Sequence, residues 1–331
     1  MKIAILGATG AVGRTMLQVL ESRGFPADEL VPLASARSAG SVLRWRGREW
    51  TVRVPAPGVF HGCGIALFSA GAARSREWGP IAAAEGTVVV DNSSAWRMDP
   101  AVPLVVPEVN AAALQERGAG IVANPNCATI QLVLPLAALQ RAAGLARVLA
   151  TTFQSVSGAG QKGTAALDAE LAGRPSPGTP FRGPIAGNVI PWIGPRGEDG
   201  WNEEERKVRE ETRKILGLPE LRVTATCVRV PVRVGHSIAA TVELERPLAL
   251  ADALAALRAW PGIVVHGPES DPLPRDVAGT DLVHVGHVRA DPDVPRVFHL
   301  WIVADNLRKG AATNAVQIAE RLVQPVPGSA A

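Results

Sequence analysis

The sequence predicts an α/β fold in two parts: a doubly wound parallel sheet, then an α+β region with an open mixed or antiparallel sheet. Three observations predict it. Residues 2–124 alternate short strand-like apolar runs with helix-like segments, the rhythm of parallel strands joined by crossover helices. The first run leads into Gly7-Ala8-Thr9-Gly10-Ala11-Val12-Gly13, three glycines set between a strand and a helix. After Cys127 the pattern changes to longer strands, with alternating faces over 237–245, separated by helices.

In order, strands are expected over 2–6, 30–34, 65–69, 87–91, 104–106 and 120–123, and helices over 11–22, 74–84 and 110–117. Residues 43–52 alternate about Gly47 and read as a hairpin on the flank. A long apolar helix is expected over about 127–141, with Pro135 inside it as a point where it can kink. It leads into the strand Leu149–Phe153. Further strands are expected over 221–230, 237–245, 282–289 and 297–304, with helices near 160–172, 203–216 and 250–259. A Gly- and Pro-rich insert over 173–200 divides this half. A final helix over about 309–323 precedes a Pro/Gly/Ser/Ala end after Gln324, and no internal repeat is visible.

A chain of 331 residues has length for two packed cores. Its 20% charged and 47% hydrophobic residues are a soluble, globular balance. A net charge of +3, without a Lys/Arg block or a basic surface interleaved with aromatics, excludes a nucleic-acid partner. High Arg, Ala, Gly and Pro without Tyr fit either genomic base bias or adaptation to heat. No apolar stretch approaches the roughly 20 residues of a membrane helix, so no membrane partner is expected. The sequence opens on a strand-like run, so no signal peptide is expected. Cys63, Cys127 and Cys227 have no metal-ligand spacing and cannot all pair, so no metal site is expected and a reducing, cytoplasmic location is.

The glycines carry the first chemistry. Gly7 permits a tight turn, Gly10 a close approach of backbone to a pyrophosphate, and Gly13 close packing of helix on strand, with the helix N-terminus facing the charge. This is the logic of a Rossmann-type nucleotide site, although the spacing is GxxGxxG. Where NAD sites carry an acid for the ribose hydroxyls, the second strand ends in Ser35, Arg37 and Ser38, which suits a 2′-phosphate. NADP is the expected cofactor.

Cys127 carries the second. It follows Asn124-Pro125-Asn126 and opens an apolar helix, where free amides and the positive end of the dipole favour a thiolate. Packing as a small apolar residue is the alternative. Beside a dinucleotide site, a thiolate points to covalent catalysis coupled to hydride transfer. His236, where one strand ends and another begins, has the chemistry to exchange the thiol proton, though taken alone it reads more often as a satisfied structural histidine. His61 and His266 in loops, and His284, His287 and His299 in strand-like stretches, have weaker contexts. Residues 203–211 are a charge run that by itself reads as a solvated helix face.

Seven segments together are specific. They are Gly7–Gly13, Asn92-Ser93-Ser94-Ala95-Trp96-Arg97, Asn124-Pro125-Asn126-Cys127, Gln154-Ser155-Val156-Ser157-Gly158, Asn188-Val189-Ile190-Pro191, Arg229 with His236, and Asp305-Asn306-Leu307-Arg308-Lys309-Gly310. From residue 2 to about 322 this order resembles the aspartate-semialdehyde dehydrogenase family. The resemblance implies reduction of L-aspartyl-4-phosphate to aspartate semialdehyde by NADPH with release of phosphate. That reaction stands at the branch toward lysine, threonine, methionine and diaminopimelate.

In residues, the resemblance implies Cys127 as nucleophile forming a thioester, His236 as acid/base, and Gln154 orienting the acyl group. It places the substrate on Arg97, Asn126, Ser157, Gly158, Glu204, Lys207 and Arg229. Arg229 would pair with the carboxylate, Glu204 with the ammonium, and Arg97, Asn126 and Lys207 with the phosphate. NADP would lie on Gly7, Thr9, Gly10, Ala11, Val12, Gly13, Ser35, Arg37, Ser38, Ser69, Ala70, Gly71, Asn92, Ser93, Asn306 and Gln317. The resemblance further implies a discontinuous NADP-binding domain, 1–126 with 308–331. Residues 127–307 would be a catalytic domain whose sheet forms a homodimer. An N-acetyl-glutamyl-phosphate reductase would share this chemistry but usually shows Pro-Gly-Cys. A glyceraldehyde-3-phosphate dehydrogenase shows Cys-Thr-Thr-Asn, and a non-catalytic NADP sensor would be expected to lose Cys127, Gln154, Arg229 or His236.

Overall fold

Five short strands build the first sheet, and their runs of Ile, Leu and Val are buried on both faces, as a parallel sheet requires. The computed structural model describes residues 1–116, 118 and 120–323. Its chain divides into two units, Met1–Pro125 with the segment from Ala311, and Asn126–Gly310.

In the first unit, β1 (Lys2–Leu6) leads into helix α1 (Ala11–Ser22), then β2 (Glu29–Leu33). The hairpin β3 (Val42–Trp45) and β4 (Arg48–Thr51) follows, then β5 (Cys63–Phe68), α2 (Ala72–Ala84) and β6 (Val88–Asp91). A single turn, α3 (Pro107–Asn110), and β7 (Ile121–Ala123) complete the sheet, whose order is β2-β1-β5-β6-β7, every pair parallel. The C-terminal helix Thr313–Val323 buries Ala315, Val316, Ile318 and Ala319 in the same core as Ile3, Met16, Leu20 and Val90.

The hairpin turns on Arg46 and Gly47, at φ +51° and +71°, the paired positive angles of a two-residue turn that matches strand twist. Arg46 is strained there, and its guanidinium donates to the carbonyls of Ala27 and Phe25, both at 2.6 Å.

Two expectations for this unit need correction. Residues 104–106 form no strand; Leu104 makes only an isolated bridge to Ala123, because Pro103 and Pro107 leave too little extended chain. The helix expected over 110–117 is α3 followed by a 3-10 stretch, Ala111–Glu116. Arg117 and the end after Gln324 lie outside the described residues.

In the second unit, α4 (Cys127–Ala143) runs through Pro135 and is buried almost throughout. Then come β8 (Leu145–Gln154), α5 (Gly160–Leu171), α6 (Glu203–Leu216), β9 (Arg222–Arg229), β10 (His236–Leu244) and α7 (Leu250–Ala259). The short β11 (Ile263–Val265) and α8 (Pro274–Val277), which sequence patterning missed, precede β12 (Val283–Ala290) and β13 (Val297–Ala304). The sheet order is β11-β12-β13-β10-β8-β9, mixed as expected. Alternate residues such as Val148, Ala240, Val242 and Leu300 are buried, while Leu149, Ala239, Thr241 and His299 between them are exposed or half-buried.

The glycine turn is set by sterics. A Cβ on Gly7, at φ +90°, would lie 2.4 Å from the Ser69 carbonyl oxygen, and one on Gly13 would lie 2.3 Å from the Gly7 oxygen. Gly13→Ala is therefore expected to lower stability by about 1–3 kcal/mol through overpacking, read as a drop in urea midpoint. An unchanged midpoint would mean that helix and strand are not held this closely.

Candidate active site

Two sites emerge, one in each unit. In the first, the Gly7 and Ala8 amides donate to Leu33 O at 2.8 and 3.1 Å, and the Gly10 amide donates to Gly7 O at 3.0 Å. Gly10 caps α1 without a side-chain bond, so the first-turn amides of Ala11, Val12 and Gly13 face outward from the helix start. A cavity of about 560 Å³ opens here, lined by Gly7, Thr9, Gly10, Ser35, Ser69 and Ala70 among the expected residues. Arg74, Glu77 and Trp78 of α2 also line it and were not foreseen. A Cβ on Gly10 would meet only Gly7 O, at 3.3 Å, so that glycine is spared for what occupies the cavity. The cradle fits a dinucleotide diphosphate.

Of the other residues expected at this site, Gly71 caps α2. Ser38 Oγ lies 3.4 Å from Thr9 Oγ1, and Arg37 is exposed in the 3-10 turn Ala36–Ser38. Asn92 accepts from Asn124 Nδ2 at 2.6 Å, and Ser93 Oγ donates to Asp91 at 2.6 Å. Gln317 donates to Glu108 at 2.8 Å. Arg97, expected at the phosphate, donates to Asn124 O and Asn92 O at 3.0 and 2.7 Å.

In the second unit, α4 starts at Cys127 because Asn126 Oδ1 accepts from the amides of Ala128 and Thr129, at 2.9 and 3.3 Å. That places Cys127 Sγ 3.3 Å from His236 Nε2, at the start of β10. Burial, then the Arg229 guanidinium, push His236 well below the usual histidine range, against a backbone bond to Gly235. Burial pushes the Cys63 and Cys227 thiols up, away from ionisation.

Around this pair, α6 turns an acidic face inward. Its charge run is not a solvated face throughout: Glu204, Val208, Glu211, Thr212 and Ile215 are buried at helical spacing. Glu204 Oε1 accepts from Asn126 Nδ2 at 2.8 Å and Gln154 Nε2 at 3.0 Å, while Lys207 Nζ lies 3.6 Å from Oε2 and 2.7 Å from Glu203. Burial raises the Glu204 pKa, but Lys207 and the bonds from Gln154 and Asn126 outweigh it and leave the carboxyl below its ordinary value. Glu211 accepts the Asn126 backbone N–H at 2.6 Å, a partner that sequence reasoning missed.

Arg229, buried at the end of β9, donates to Ser155 O at 2.6 Å. A Cβ on Gly158 would lie 2.8 Å from its Nη1 and 3.2 Å from His236 Nε2, so this glycine keeps the space beside both groups open. Ser157 Oγ bonds Asn306 Oδ1 at 3.1 Å, within this unit. Among the described residues, no group of His, Cys, Asp and Glu could hold a metal ion, and no helix is long and apolar enough to cross a membrane.

Family models for the semialdehyde dehydrogenase NAD-binding and dimerisation domains match residues 2–117 and 136–309. The aspartate-semialdehyde dehydrogenase of Aquifex aeolicus is 49% identical, over 98% of this chain and 98% of its own. The chain belongs to the aspartate-semialdehyde dehydrogenase family. A crystal structure of Vibrio cholerae aspartate-semialdehyde dehydrogenase II, complexed with ASA, superposes with a TM-score of 0.95 at 46% identity, covering 97% of this chain and 98% of that one. One from Candida albicans, solved with NADP, has a TM-score of 0.76 at 26% identity, covering 97% and 98%. The family is one of oxidoreductases in amino-acid biosynthesis, and the first unit carries its NAD(P)-binding domain.

The lowered Glu204 carboxyl has a consequence in acid. A group depressed on folding adds stability that is present above its unfolded pKa, about 4.3, and lost as pH falls through the folded value. Glu204→Gln is expected to flatten the fall of urea midpoint below that pH. An identical acid limb in both proteins would show that Glu204 is not held ionised.

Proposed function

We propose that this chain reduces L-aspartyl-4-phosphate to L-aspartate 4-semialdehyde and phosphate with NADPH, through a thioester on Cys127. The observation that carries the proposal is the 3.3 Å approach of Cys127 Sγ and His236 Nε2 at the first turn of α4. The helix start favours the thiolate, and the imidazole takes the thiol proton. The sulfur bonds the acyl carbon as the acyl–phosphate bond breaks, and phosphate leaves with the electron pair and a proton. Bound NADPH would supply the hydride that reduces the thioester; the C–S bond then breaks, the sulfur leaves as thiolate, and a proton from solvent restores the thiol–imidazole pair.

The other side chains have complementary tasks. Arg229 pairs with the substrate carboxylate in the space that Gly158 leaves open. Glu204 takes the ammonium, its Oε1 fixed by Asn126 and Gln154. Lys207 and the second amide hydrogen of Asn126 serve the phosphate. Gln154, tied to Thr152 Oγ1 at 3.0 Å, orients the acyl group. NADP is preferred to NAD because β2 is followed in sequence by Ser35, Arg37 and Ser38 with no acid among them, and the Candida albicans relative holds NADP. The exposed face of the second sheet, with Leu149, Ala239, Thr241 and the Phe153–Trp301 ring pair, supports a homodimer, as does the family's dimerisation domain.

The test follows NADPH absorbance with aspartate semialdehyde, NADP and phosphate. Phosphate-dependent turnover is expected, falling about a thousandfold or more in Cys127→Ala. Turnover only with N-acetylglutamate semialdehyde would reassign the substrate, and full activity in Cys127→Ala would sink the covalent route.

A further inference from the structure

We propose that Ser155 and Asn306 are positioning residues for His236, a hydroxyl relay that lets the ring carry a proton on Nδ1 while Nε2 faces Cys127. The proposal rests on Cys127 being the nucleophile, and deepens that reading.

An imidazole that takes a proton inside a protein needs a partner for each ring nitrogen. Nε2 has the sulfur. Nδ1 meets two atoms of Ser155, the backbone N–H and Oγ, each at 3.0 Å. The amide can only donate, so it serves the ring when Nδ1 is bare. The hydroxyl can donate or accept, and its direction depends on what else it touches.

Asn306 settles that direction. Its Oδ1 lies 2.9 Å from the Gly235 N–H, 3.0 Å from Ser155 Oγ and 3.1 Å from Ser157 Oγ. The Gly235 amide cannot rotate, so the atom facing it must be the oxygen. That oxygen draws the Ser155 hydroxyl hydrogen toward itself and leaves an Oγ lone pair toward Nδ1. With Nδ1 bare, the neutral ring accepts from the amide and holds its proton on Nε2; with the proton on Nδ1 it donates to the hydroxyl, and Nε2 is open to the thiol proton. Without Asn306 the hydroxyl hydrogen is free to turn onto Nδ1, and only the bare ring remains satisfied.

The surroundings make this arrangement matter. His236 is fully buried, and Arg229, bonded to Ser155 O, opposes a charged ring. Asp305, at the end of β13, gives its oxygens to the amides of Leu307, Arg308 and Gly279, and so shapes the turn that holds Asn306. The sulfur of Cys127 is the anion the protonated ring can face. Asn306, expected at the cofactor from the family resemblance, is 2% exposed, with its oxygen used three times and Nδ2 on Ser157 Oγ at 2.9 Å.

The experiment measures iodoacetamide alkylation of Cys127 against pH, by peptide mass, together with NADP affinity by fluorescence titration. Asn306→Ala and Ser155→Ala are expected to slow alkylation at neutral pH about fivefold or more, the worth of one hydrogen bond, and to move the profile to higher pH. Ser155→Thr, which keeps the hydroxyl, retains the wild-type profile, and NADP affinity is unchanged in all three. An unmoved profile in Asn306→Ala overturns the proposal, as does a loss of NADP affinity with the profile intact. If Asn306→Ala does not fold, the contrast between Ser155→Ala and Ser155→Thr decides by the same profile. A wild-type Cys127 that alkylates only as an ordinary thiol would instead sink the nucleophile reading, and this proposal with it.

Discussion

Asn126 Oδ1 accepting the amides of Ala128 and Thr129 is a cap of about 1 kcal/mol by itself. Its consequences are larger than its energy. It fixes the residue at which α4 begins, and therefore where Cys127 lies relative to β10 and His236. The same side chain uses its amide hydrogen on Glu204, and the same residue's backbone N–H goes to Glu211. One asparagine thus joins the helix start, the sulfur and the inward face of α6.

That face shows how buried charge is tolerated here. Glu204 and Glu211 sit where an amphipathic helix would place apolar residues, and breaking such a network typically costs about 3–5 kcal/mol. They meet donors: Asn126, Gln154 and Lys207 for the first, the Asn126 amide for the second. A partly neutralised carboxylate with Oε2 toward Lys207 still has reason to prefer a cation. The network therefore serves stability and substrate charge with the same atoms.

Much of this was legible in the sequence, for identifiable reasons. Gly7 is required by its positive φ and Gly13 by backbone contacts within the same βα turn, so local spacing reveals them. The run 203–216 carries its capping box, Asn202 with Glu205, and an αL Gly217, and its ends fall where the pattern puts them. Residues 104–106 were misread because three apolar residues look like a strand whether or not a neighbour has room to pair along them. The roles of Ser155 and Glu211 and the bond of Asn306 to Ser155 were hidden. Their partners lie 81, 85 and 151 positions away, and nothing in a local pattern says which polar residue of a run turns inward.

The central claim is that the acyl group rests on Cys127. Peptide mass after mixing the protein with aspartate semialdehyde and NADP, with phosphate withheld, tests it most directly. The account predicts an aspartyl adduct on the peptide holding Cys127, lost when phosphate is added and absent from Cys127→Ala. Turnover on adding phosphate with no adduct at that cysteine, or with one elsewhere, would contradict it.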